Sequence, residues 1–203
     1  TSTSGIQQTE AAYRARDSAG ALPSWFDYDG TQNLSSCAEY VRGRLRLEGI
    51  SHVTSTACAS SAKVFASAHR ALQTGLCDAA VVGGVDSLCR TTLYGFASLQ
   101  LLSTEICRPA DANRNGISIG EAAGFALLET TAGEGAALLG YGETGDAHHM
   151  SAPDPAGRGA MAAMAMALER AGLQPVDIDY VDPALWYYVP SWTIAFSTSA
   201  MRT

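Results

Sequence analysis

The chain has 203 residues, 47% hydrophobic and 16% charged, with a net charge of -7, the composition of a globular chain long enough for one ordinary domain. Lys63 is its only lysine, which argues against a nucleic-acid surface, and no apolar run approaches the roughly 20 residues of a membrane span. The N-terminus, TSTSGIQQTE, has neither the basic nor the apolar region of a secretory signal; it also lacks a starting Met, which predicts a piece of something longer. The five cysteines, Cys37, Cys58, Cys77, Cys89 and Cys107, are odd in number and have no metal-ligand or framework spacing. They read as reduced thiols of a cytoplasmic protein.

In chain order, residues 1–34 are polar and turn-rich, with PSWFDYDGTQN as a loop. Residues 35–48 carry Ala38, Val41, Leu45 and Leu47 at helical spacing. SHVTST (51–56) is a short β-type run, and residues 59–74 read as a helix that stops near Gly75. DAAVVGGV (78–85) predicts a buried strand closed by a glycine pair. Residues 91–102 read as a helix, and RPADANRNG (108–116) as a polar loop. EAAGFALLE and AALLGYGETG predict two strands with a GEG turn between them. DAHHMSAPDPAGRG (146–159) is a loop, and residues 160–172 form a helix closed by Gly172 with Pro175 just beyond. In that helix Met161, Met164 and Met166 read as a core stripe. VDIDYV starts another strand. Strands alternating with helices predict an α/β fold whose sheet is covered on both faces. Residues 182–203 change character: they hold two of the three tryptophans and only two charges, Asp182 and Arg202, with neither helical periodicity nor clean alternation. They read as a divergent tail, foreign to residues 1–181.

One stretch carries chemistry. VTSTACASSAKVFASAHRALQTG turns from a β-type run into a helix at Cys58. The apex of such a turn meets the unpaired N–H groups and positive dipole end of the helix. A thiolate is favoured there, which makes a cysteine nucleophilic, and its own N–H can help hold an oxyanion. The small neighbours Ala57, Ala59, Ser60 and Ser61 leave room for an acyl chain and a carrier arm. The competing reading is an inert packing thiol, since free cysteines are among the most buried residues.

The surroundings favour chemistry. STACASSAKVF, the strand DAAVVGG, the loop CRPADANRNGI and the strand GEAAGFALLE resemble, in order and at plausible spacing, the β-ketoacyl synthase (3-oxoacyl-acyl-carrier-protein synthase) family of the thiolase-like superfamily. The matching patterns are T-A-C-[AS]-[ST]-S, D-x-x-x-x-G-G, R-P-F-D-x-x-R-[DN]-G-[FI] and G-E-[GA]-A-G. GDAHHMSAPD is similar to a further family segment, D-A-[YH]-H-M-[TS]. The resemblance covers about residues 1–181. It implies a thiolase-like α/β fold of stacked α-β-α-β-α layers, represented here by most of the nucleophile-bearing half and the start of the second. It also implies an incomplete chain, because TSTSG resembles a strand end that lies well inside a usual synthase.

The implied reaction forms a carbon–carbon bond in fatty-acid or polyketide-like synthesis. An acyl group moves from a thioester to Cys58 and is condensed with malonyl carrier protein as carbon dioxide leaves. By motif position Cys58 is the acyl acceptor, Asp111, Arg114 and Glu121 are structural members of their motifs, and Ser151 lies near the carrier-arm channel. The implied partners are an acyl carrier protein and, in the full-length parent, a second copy of the chain. No metal or organic cofactor is implied beyond the carrier's phosphopantetheine arm. The resemblance breaks at one place. The family's N-x-H-G-T motif is due just after IDYV, but this chain reads DPALWYYVP. The second histidine motif, G-H-x-x-G, is also absent, so the chain is expected not to complete the condensation.

Other readings compete. GISIG (116–120) satisfies the G-x-S-x-G serine-hydrolase elbow at Ser118, with Asp146, Asp154 and His148 or His149 following; that elbow requires a strand before it and a helix after it. A papain-like protease lacks its C-G-S-C-W context. Asp146 with His148 and His149 suggests a metal site, but adjacent histidines point different ways and three converging ligands are not visible. His52 and His69 read as strand-edge and helix-surface residues. A non-catalytic partner subunit of a synthase, or an inactive fragment, is the remaining alternative; such partner subunits usually lack the cysteine that stands here at 58.

Overall fold

The computed structural model describes residues 1–109, 111–131, 135–149 and 152–181, and the backbone of 192–197. It divides into two compact units, Thr1–Leu128 and Glu129–Thr203.

The first unit opens with α1 (Ile6–Arg14), a π turn (Tyr28–Gln32) and α2 (Ser36–Leu45). α1 corrects the expectation of a turn-rich N-terminal region. It has no side-chain cap and buries only Ala12, so neither a start signal nor an apolar stripe announces it. The good helix formers Gln, Glu, Ala and Arg sustain it, and the π turn packs against it. A Cβ on Gly5 would overlap the Thr31 carbonyl of that turn, so this approach requires glycine. α3 (Ser60–Gln73) follows the cysteine turn. It ends as expected: Gly75 adopts φ +69°, and Leu76 N–H bonds to the Ala71 carbonyl while Gly75 N–H bonds to that of Leu72, a Schellman stop.

β1 (Ala79–Asp86) pairs with β2 (Ala122–Glu129) in a two-stranded sheet, and α3 packs on β1. The glycine pair of β1 has a packing reason. A Cβ on Gly84 would strike the Ser61 hydroxyl, and one on Gly83 would strike the Phe125 ring. Glycine there lets the start of α3 on one side and β2 on the other approach the strand. The expected burial of this sheet is not met. Only Val82 of β1 is buried, and β2 is exposed along almost its whole length. α4 (Arg90–Ser98) is shorter than the expected 91–102, because Gln100 turns left-handed at φ +57° and Leu101 N–H closes back on the Phe96 carbonyl.

Two expected strands do not form. Residues 51–55 make one long bond, from the Thr1 nitrogen to the Thr54 carbonyl at 3.4 Å, and Thr56 bonds into the turn that follows. In VDIDYV a 3-10 turn (Pro175–Asp177) takes the first residues and the rest stay unpaired. Both runs have β-type composition. A strand needs a neighbour for its N–H and C=O groups, and among the described residues neither has one.

The second unit is built on β3 (Ala137–Glu143) and α5 (Arg158–Ala171). β4 (Trp192–Ser197) pairs antiparallel with β3, from Glu143 opposite Trp192 to Ala137 opposite Ser197, with an irregularity between Leu138 and Gly140. The tail thus contributes a strand where its sequence shows no alternation. Gly133 and Glu134 of the expected GEG turn between β2 and β3 lie outside the described residues. α5 stops at Gly172, φ +67°, with Leu173 N–H on the Leu168 carbonyl. Its buried face is Gly159, Ala163 and Ala167, at a spacing of four, not the methionines: Met161 is 53% exposed. β3 explains the choice. A Cβ on Gly140 or Gly142 would overlap the carbonyl of Ala167 or Ala163, so the two backbones meet directly and only small residues fit between them.

Candidate active site

The turn that carries Cys58 is held from within. Ala57 stands in the left-handed region at φ +51°, which costs a non-glycine residue about 1 kcal/mol. Ser60 is 3% exposed. Its hydroxyl accepts from Thr56 N–H at 2.8 Å and donates to the Ala57 carbonyl at 2.6 Å. Two backbone bonds close the same turn, Ala59 N–H to Thr56 at 3.2 Å and Ser60 N–H to Ala57 at 3.1 Å.

Cys58 sits at the apex, exposed, two residues before α3 begins. An inert packing thiol is therefore not what the geometry shows; Cys89, 2% exposed and 3.0 Å from the Thr92 hydroxyl, is that kind of cysteine. α3 has no side-chain cap at Ala59, and beyond the bonded Ser60 N–H its first turn leaves the N–H groups of Ser61 and Ala62 to water or a ligand. No hydrogen bond from the Cys58 amide is present among the described residues, so it too is open to an incoming oxyanion. The arrangement suits nucleophilic attack on a thioester carbonyl: an accessible sulfur, a free adjacent donor and the positive end of a 14-residue helix.

A cleft of about 630 Å³ runs beside the start of α3, lined by Ser61 and Phe65, the end of β1 and the start of β2. Cys58 does not line it. A second cleft, of about 730 Å³, lies between α2, residues 47–54, α3 and β1; Cys37, Cys77 and His52 line it.

The other residues singled out by sequence are dispersed among loops. Asp111 shapes its own turn: its carboxylate accepts from Asn113 N–H at 2.6 Å, and its carbonyl accepts from the Arg114 guanidinium at 3.0 Å. Glu121 accepts from Leu88 N–H at 3.0 Å, which ties the start of β2 to the loop after β1. Ser151 lies outside the described residues. Ser118 is exposed between a turn and β2. Its neighbour Ile117 bonds to Leu101 and Ser103 at 2.9 Å, and no helix follows, so the hydrolase elbow is not made. Asp146 accepts from Asp154 N–H at 2.9 Å, and Asp154 accepts from Arg158 at 2.6 Å. The bond from Arg158 is the main cause that holds the Asp154 carboxyl below its ordinary value. His149 accepts from Ala152 N–H at 3.2 Å. Among the described residues no three His, Cys, Asp or Glu side chains gather to hold a metal ion, and no helix is long and apolar enough to cross a membrane.

Sequence reasoning missed two acids that tie distant segments of the first unit together. One Asp86 oxygen accepts from Ser2 N–H at 2.7 Å and Thr3 N–H at 2.9 Å, and from the hydroxyls of Thr1, Ser2 and Thr3. Burial raises the Asp86 pKa, and these donors outweigh it, so the group stays below its ordinary value. Glu10 accepts from Thr91 N–H at 2.6 Å and Arg90 N–H at 3.1 Å, and so caps α4 from a distant helix. Burial raises its pKa as well, and the bonds from Thr91 and Arg90 turn the net shift downward. No local pattern marks either acid, because their partners lie 80 or more residues away.

Comparison with known proteins shows the family. Residues 2–133 match the beta-ketoacyl synthase N-terminal domain, and residues 135–184 match the C-terminal domain. The chain is 38% identical over 188 residues to 3-oxoacyl-[acyl-carrier-protein] synthase 2 of Rhizobium meliloti, covering 85% of this chain and 44% of that one. Among solved structures it is similar to the ketosynthase ApeO of Xenorhabdus doucetiae, solved in complex with its chain length factor ApeC: TM-score 0.77, 42% identity, 87% of this chain and 44% of that one. It is also similar to a structure of a type II PKS acyl-carrier protein in complex with its ketosynthase bound to the hexaketide: TM-score 0.70, 26% identity, 78% of this chain and 42% of that one. The chain thus spans less than half the length of these relatives. Over that span it has their thiolase-like α/β fold, and it belongs to the β-ketoacyl synthase family.

Proposed function

We propose that the protein acts in decarboxylative carbon–carbon condensation, in fatty-acid or polyketide-like synthesis, and that this chain supplies the acyl-accepting step. The observation that carries this reading is Cys58, exposed at the turn before α3 with no bond from its own amide. The Cys58 thiolate attacks the carbonyl carbon of an acyl thioester. The new S–C bond gives a tetrahedral oxyanion, which the Cys58 N–H and the positive start of α3 stabilise. Collapse breaks the C–S bond to the carrier arm, and the leaving thiolate takes up a proton. The acyl group is then held on Cys58. In the second half-reaction a malonyl thioester loses carbon dioxide, its carbanion attacks the Cys58 thioester carbonyl, and the cysteine thiolate leaves.

Residues 1–181 carry the proposed role and residues 182–203 form a divergent tail. Because DPALWYYVP stands where the histidine motif is due, the chain is expected to stop at the acyl-enzyme. The acyl donor in this reading is an acyl carrier protein with its phosphopantetheine arm; neither half-reaction needs a metal or another organic group. The relative solved with its carrier protein supports that partner. A paired ketosynthase such as ApeO with its chain length factor supports a dimer, which we propose for the full-length parent as two copies of the chain. The five free thiols support a reducing, cytoplasmic setting.

Intact-mass analysis after incubation with an acyl thioester tests the reading. Wild type gains one acyl mass and Cys58→Ala gains none. Malonyl carrier protein added afterwards releases no carbon dioxide. An unmodified wild type overturns the assignment of Cys58, and carbon dioxide release overturns the arrest at the acyl-enzyme.

A further inference from the structure

We infer that Ser60 is a positioning residue for the nucleophile: its buried hydroxyl locks the left-handed turn at Ala57 that presents Cys58 to a thioester. This rests on the acyl-acceptor reading of Cys58.

The geometry is specific. A turn with a non-glycine residue at positive φ persists only when its surroundings over-determine it. Here one hydroxyl bridges the two residues that flank the turn's entry, accepting from Thr56 N–H at 2.8 Å and donating to the Ala57 carbonyl at 2.6 Å. Both capacities of the hydroxyl are used, and the side chain is 3% exposed, so water does not compete for either bond. The Ala57 carbonyl would otherwise rely on Ser60 N–H alone, and Thr56 N–H has no other partner among the described residues. With the bridge in place, Ala57 keeps φ +51°, and Cys58 stays at the apex with its sulfur exposed and its N–H unspent. Without it, Ala57 can relax toward an ordinary backbone conformation, which swings Cys58 away from the axis of α3. Ser61 has a different part: it faces Gly84 of β1 and seats the helix on the sheet.

Two reagents separate position from accessibility. Iodoacetamide needs only an exposed thiol, whereas a thioester needs sulfur and oxyanion donor held together in a near-attack geometry. Ser60→Ala is expected to slow acylation of Cys58 by an acyl thioester roughly tenfold or more, while alkylation of Cys58, followed by peptide mass, stays close to wild type. Ser60→Thr retains the hydroxyl and is expected to hold the acylation rate. Thermal melts confirm that each variant is folded at the assay temperature. Acylation of Ser60→Ala at the wild-type rate overturns the inference, and so does a parallel fall of both reagents, which marks a purely structural loss. Wild type that resists acylation while Cys58 still alkylates overturns the acyl-acceptor reading itself.

Discussion

β2 and β3 are short apolar strands of similar composition, AAGFALLE and ALLGYGE, and the structure treats them in opposite ways. β2 leaves Phe125 53% and Leu127 59% exposed, whereas β3 buries Gly140, Tyr141 and Gly142. Apolar content does not separate them. What separates them is a helix that can reach the strand. α5 offers a face of Gly159, Ala163 and Ala167, and β3 offers glycines opposite that face, so two backbones close to contact. Arg170 completes the joint, its guanidinium 4.2 Å from the Tyr141 ring centroid and bonded to the Tyr141 carbonyl at 2.6 Å. In the first unit α3 reaches β1 in the same manner through Gly84. Burial is thus a property of a strand and its cover together.

The sharpest way to break this contrast is a methyl group at Gly142. A Cβ there overlaps the carbonyl oxygen of Ala163, and a helix backbone has no rotamer by which to yield. Gly142→Ala is expected to cost about 3 kcal/mol, the upper part of the usual range for overpacking. Urea unfolding followed by near-ultraviolet circular dichroism should show the midpoint fall. An unchanged midpoint would mean that α5 does not rest on β3.

In the first unit, long-range bonds from acids join the close packing of α3 on β1. Asp86 at the end of β1 gathers the N–H groups and hydroxyls of residues 1–3. Bonds to a charged acceptor contribute about 2 kcal/mol net, and Asp86→Ala is expected to lose about that much. Its pH dependence has a definite sign. The folded pKa lies below the ordinary 3.8. Its stabilisation is therefore complete above the unfolded pKa and is lost as pH falls through the folded value. Acid titration of wild type should loosen the first three residues below about pH 4, read by amide exchange at Ser2 and Thr3, and Asp86→Asn should abolish that step.

Much of this was legible in sequence, and the reasons for the rest are physical. Cys58 at a turn before a helix, and the stops at Gly75 and Gly172, follow from local chemistry, and the structure shows each one. The burial of β1 and β2 was misread because an apolar strand does not declare whether a helix will cover it. The strands expected at 51–56 and in VDIDYV have the right composition and no pairing partner among the described residues. α1 was missed because it carries neither cap nor apolar stripe. The methionines of α5 are apolar and read as core, whereas the alanines are buried because β3 brings its backbone so close. The neighbours of Cys58 mark it as the candidate nucleophile, and the structure shows it exposed. Ser60 was noted only for its small size, since no sequence pattern tells that its hydroxyl bridges Thr56 and Ala57. Asp86 and Glu10 act on partners far along the chain, beyond any local pattern.

The smallest expected effect is the matched control for Gly142. Gly124 lies in the middle of β2, at an ordinary φ, and a Cβ there meets nothing within 4 Å. Gly124→Ala removes conformational freedom from the unfolded chain, which favours folding by roughly 0.4–1 kcal/mol where the native backbone tolerates a side chain. It buries nothing, because β2 is exposed at that point, so no packing term adds to or opposes this gain. The midpoint in urea should stay level or rise slightly, opposite in sign to Gly142→Ala. A large loss would show that β2 is covered in solution by something that leaves no room for a methyl group. The exposed faces of Phe125 and Leu127 would then mark where that cover sits, and the two strands would differ in the identity of their cover rather than in having one.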